Sequence, residues 1–73
     1  MSGRYAVCRV QCLPEKIELH ETYGHFDNLD EAIGICNERH ALVGQNIVMD
    51  FGEKRVDGGY SHHGKIVHIQ IKH

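Results

Sequence analysis

Seventy-three residues with 41% hydrophobic and 25% charged side chains describe one small globular domain spanning 1–73 and exclude a disordered tail, whose hydrophobic content is lower. A formal charge of −2 lacks the basic excess of a nucleic-acid binder, and no apolar run approaches the ~20 residues of a membrane helix. Folding of so short a chain hides only roughly 60% of the unfolded surface, so a single small core is expected and self-association would extend it.

The cysteines are Cys8, Cys12 and Cys36. An odd number, with no apolar leader segment, points to free thiols in a reducing cytoplasm. Charge is unevenly spread. Residues 13–38 carry seven acids (Glu15, Glu18, Glu21, Asp27, Asp30, Glu31 and Glu38) against Lys16, and the remaining segments are net positive.

In chain order, RYAVCRVQC alternates Ala6, Cys8, Val10 and Cys12 with Tyr5, Val7, Arg9 and Gln11, the period of a strand whose first set faces a core. Pro14 ends it in a turn, LPEK. KIELHE then resumes as a second strand, pairing Cys12 with Ile17 and Val10 with Leu19. FDNLDEAIGICNERHALVG reads as a helix with Asn28 as N-cap and Gly44 as its stop, burying Leu29, Ala32, Ile33, Cys36, His40 and Val43. NIVMDF and KIVHIQIK are strands joined through DGGYSHHG. Taking Asp57-Gly58-Gly59 as a three-residue loop pairs Val56 with Tyr60, Met49 with Val67 and Ile47 with Ile69, and sets Gly52 against Gly64. Residues 53–63 then form an arm beyond the sheet. The fold class is α+β: a two-layer ββαββ unit, an antiparallel four-stranded sheet covered on one face by a single helix. Strand order is not encoded in any local pattern.

No catalytic motif emerges, and the chain reads as a non-enzyme. Cys36 and His40 stand four apart on one helical face and, with Cys8 or Cys12, supply the residue types of a zinc site. However, Cys8 and Cys12 lie about 13 Å apart along a strand, so one at most joins and a fourth ligand is missing. His62 and His63 alternate to opposite sides of a strand and do not converge on one ion. No metal or cofactor is assigned. A nucleic-acid reading would use Arg9, Lys54, Arg55, Lys65 and Lys72 with Tyr5 and Tyr60, but basic groups and stacking aromatics are both sparse.

The expectation that remains is a protein-interaction module, an inhibitor or regulator of a partner protein, with homodimerisation through uncovered sheet. Accessory proteins of phages and mobile elements are built on this scale, an analogy of size alone. The contact residues expected are Tyr5, Val7, Val48, Ile66 and His68 on the sheet face away from the helix, and Lys54, Arg55, Tyr60, His62 and His63 on the arm.

Overall fold

A computed structural model of the chain describes residues 3–41, 43–53, 55–59 and 64–71. The elements are β1 (Tyr5–Cys12), β2 (Ile17–Phe26), α1 (Leu29–Glu38), β3 (Gln45–Asp50) and β4 (Lys65–Ile69). The strands form one antiparallel sheet in the order β2-β1-β3-β4. One helix lies against it. The architecture is the two-layer α+β arrangement expected from the hydrophobic pattern.

The first hairpin is set by its turn. The Leu13 amide donates to the Lys16 carbonyl at 2.8 Å, which fixes Cys12 opposite Ile17 and Val10 opposite Leu19. Further along, β2 gains two residues on β1: Arg9 faces Glu21 and Val7 faces Gly24, so His20 and Tyr23 are the extra positions. Such bulges increase local twist and bend the strand that carries them. β2 therefore runs ten residues, longer than the sequence pattern suggests, because the bulges restore side-chain parity after each slip.

Asn28 caps α1 as expected, its Oδ1 accepting from the Glu31 amide at 3.0 Å. The helix ends at Glu38 rather than at Gly44. Its last carbonyls are taken by side chains from the sheet: the Asn46 amide group donates to the Arg39 carbonyl at 2.8 Å, and Gln70 donates to those of Asn37 and Arg39. A helix whose terminal acceptors are satisfied in this way needs no left-handed glycine stop. Gly44 (φ +82°) instead serves a close chain crossing, where any Cβ would collide with the Val10 carbonyl oxygen. His40 and Val43 lie beyond the helix and are exposed or half-exposed rather than on a buried stripe.

The sequence pattern assigned the wrong face of the sheet to the helix. Val7 and Val48, expected on the open side, are fully buried beneath α1 against Ala32 and Cys36, flanked by Tyr5, Tyr23, Phe26, Leu29 and Ile33. Ala6, Cys8, Val10 and Ile47, expected beneath it, cluster on the opposite side with Met49 and Phe51. Polar residues decide the choice. Asn46, in phase with Val48 on β3, is 0% exposed, accepts from the Tyr23 hydroxyl at 3.2 Å and donates to the helix C-terminus. His68 sits opposite Val48 and bonds Asn37 at 3.0 Å. Beneath α1 these groups find partners, and a buried amide without partners costs about 1–3 kcal/mol.

The second hairpin keeps the expected pairs Ile47–Ile69 and Val48–His68, then slips so that Met49 faces Ile66 and not Val67. The turn slips as well. The Gly58 amide donates to the Arg55 carbonyl and the Arg55 amide to the Gly59 carbonyl, so the loop is Val56-Asp57-Gly58, one residue earlier than Asp57-Gly58-Gly59. Gly58 takes the left-handed position (φ +90°). Gly52 and Gly64 both adopt positive φ, +76° and +108°, a conformation that glycine takes without a steric penalty.

Candidate interaction surface

The face away from α1 can be built rung by rung from the pairing. One rung holds His25, Ala6, Met49 and Ile66; the next holds Thr22, Cys8, Ile47 and Ile69; the next holds Leu19, Val10 and Gln45. Gln70 continues the ladder by donating to the Asn46 carbonyl, which brings Ile71 level with Gln45. Ile17 stands at the end of β2 opposite Cys12. These rungs contain no Lys, Arg, Asp or Glu, whereas the alternate positions carry Arg9, Glu18, Glu21, Asp50 and Lys65.

The floor of this face is small and buried, with Ala6, Cys8, Val10 and Ile47 at 1–3% exposure. Its margins are large and open: Ile17 55%, Leu19 59%, Ile66 41%, Ile69 49% and Ile71 58%. Over the floor, bordered by Ile17, Leu19 and Ile66, lies a hollow of about 370 Å³ that Met49, Phe51, Thr22 and His25 also line. The bulged, twisted β2 carries Ile17 and Leu19 to its rim. Among the described residues no second layer covers this apolar patch, which makes it the candidate interaction surface.

Chemistry in the hollow is muted. The Cys8 thiol sits 3.8 Å from the Thr22 hydroxyl, and burial raises its pKa while that contact opposes the rise. Cys36, on the other side of the sheet, is pushed up to about 11 by burial first and by Cys8 second. Raised thiols are protonated near neutrality and are poor nucleophiles. Cys36 and His40 do not share a helical face, since His40 lies outside α1. Among the described residues no group of three His, Cys, Asp or Glu side chains stands close enough to hold a metal ion, and no helix is long and apolar enough to cross a membrane.

The expected contact residues divide. Ile66 lies on the open face, reached through the slip at Val67. Val7 and Val48 are sealed beneath the helix, Tyr5 packs beside them, and His68 is bound to Asn37. Arg55 is exposed in the arm turn, 3.4 Å from Asp57. Lys54, Tyr60, His62 and His63 fall outside the described residues. Ile17, Leu19, Ile69 and Ile71 were missed, although Leu19 and Ile69 already stood in phase with Val10 and Ile47. Their parity was right and the side on which the helix sits was wrong.

The acidic stretch is partly neutralised locally. Glu18 lies 3.8 Å from Lys16 and 3.4 Å from His20, and Glu21 lies 3.8 Å from Arg9. A second, polar depression on the helix side mixes Arg9 and Arg39 with Glu21, Tyr23 and His40, and Arg39 stacks 5.2 Å from the Tyr23 ring centre. Its charges are of both signs, so it lacks the selectivity of an anion cradle. No family model, curated protein or solved structure matches the chain.

Proposed function

We propose that the chain is a non-enzymatic protein-interaction module, a regulator or inhibitor that works by docking its open sheet face onto a protein in the reducing cytoplasm. The observation that supports this is the charge-free face with a recessed floor and five large aliphatic side chains about half exposed at its margins. Completing the burial of those five is worth about 4–8 kcal/mol at 1.5–3 kcal/mol per side chain. That is of the same order as the cost of association. The surface is therefore strong enough to hold a partner whose shape matches, and too weak to hold one that does not.

Affinity capture on the full chain, compared with a Leu19→Lys variant and identified by mass spectrometry, tests the reading. The expected result is a protein retained by the wild type and lost from the variant. Stoichiometric metal or nucleic acid in place of a protein would contradict it.

A further inference from the structure

We infer that the occupant of the open face is a second copy of the same chain, stacked face to face about a two-fold axis that runs along the strands. This rests on the docking role proposed for that face and names its partner. Three observations converge. The first is composition. Charged side chains are absent from every rung of the face, and obligate interfaces, which resemble a domain core cut in half, share that depletion. The missing half must be another charge-free apolar face of equal size, and the chain carries one.

The second is size matching. An axis along the strands keeps each rung level with itself while exchanging β1 for β3 and β2 for β4. Small floor residues then meet larger ones: Ala6 lies over Met49, and Cys8 over Ile47, of the other copy. Alternation of small and large side chains is what lets two faces interdigitate. An axis across the strands would instead put β1 on β1, small on small, above the 370 Å³ hollow. The long, adaptable Met49 that lines the hollow is suited to filling what remains.

The third is the margin. In the rung of Val10 and Gln45, the same axis brings Leu19 of each copy over Ile71 of the other, joining the two most exposed aliphatic side chains of that rung, 59% and 58%. It also holds the two β2 edges, with Glu18 and Glu21, on opposite sides of the sandwich. Isologous pairing of this kind is the commonest form of closed assembly, and aligned stacking suits two twisted sheets.

Sedimentation equilibrium on the full chain, from micromolar to hundreds of micromolar, tests the inference. The wild type should reach twice the 8.3 kDa chain mass. Leu19→Lys and Ile71→Glu, each at a side chain more than half exposed and so compatible with folding by circular dichroism, should each weaken association roughly 100-fold or more, as a buried unpaired charge does. The double variant should recover much of the loss, because Lys at one position then meets Glu at the other across the axis, while within one chain they sit on opposite edges of the sheet. A dimer that persists in both single variants, or a double variant as weak as its parents, overturns the proposal. A monomeric wild type also overturns it. In that case binding of a fluorescent apolar dye, lost in Leu19→Lys, would leave the docking face standing for another partner, and its absence would remove both.

Discussion

The two faces of the sheet have similar hydrophobicity and opposite organisation. Beneath α1, the central Val7 and Val48 are sealed and the polar neighbours Asn46, His68 and Gln70 all find partners on the helix. On the other side the small residues are recessed, the large ones stand at the margins, and polar partners are few. Apolar content therefore does not identify the inner face of a small sheet. The face that folds inward is the one whose polar groups can be satisfied there, and the face left open is the one with least to lose in meeting another apolar surface.

Substitutions on each side break or sharpen that contrast. The largest effect is expected at Asn46, where Ala would take the acceptor from the Tyr23 hydroxyl and one of two donors from the Arg39 carbonyl while opening a buried gap. A loss of about 3–4 kcal/mol in urea unfolding is expected. Next comes pH. Burial pushes the Cys36 thiol up from 9.0 to about 11 in the fold. The folded state thus keeps a proton that the unfolded state releases, and stability that is complete below about pH 9 declines as pH rises towards 11. The decline is on the order of 2 kcal/mol, and comparison of unfolding midpoints at pH 7.5 and 10.5 should show it shrinking in Cys36→Ala. Val48→Ala should cost about 2 kcal/mol through lost methyl burial and a cavity under the helix. Smallest is Ile69→Ala, one residue along the neighbouring strand from Val48's partner: well under ~1 kcal/mol for the dilute chain, with a clear loss of docking. Equal costs for Val48→Ala and Ile69→Ala in the dilute chain would erase the distinction between the faces.

How far the sequence carries the account depends on the range of each signal. Local signals are legible. The LPEK turn fixes the first hairpin, Asn28 marks the helix start, and the pairing of Ile47 with Ile69 follows from matching apolar positions. The end of α1 is not, because its carbonyls are bound by Asn46 and Gln70 from distant strands, and no residue near Glu38 records that. Bulges at His20 and Tyr23 are equally silent, since each breaks the two-residue period on which strand recognition depends. The choice of face turns on Asn46. Read alone it is a polar residue pointing to water, yet in the fold it is 0% exposed. For the candidate site, Ile66 reads out of phase with Leu19 and Ile69 and reaches their face only through the slip at Val67, while that aliphatic pair was visible as a set. Only the side they occupy required the third dimension.

Methyl relaxation by a soluble paramagnetic probe, measured on isoleucine, leucine and valine methyls across a dilution series, tests the central claim most directly. In dilute solution the methyls of Ile17, Leu19, Ile66, Ile69 and Ile71 should be strongly relaxed and those of Val7 and Val48 untouched. At high concentration the first group should become protected while the second does not change. Strong relaxation of Val7 and Val48 in the dilute chain, or protection of Leu19 and Ile69 there, would contradict the assignment of the two faces.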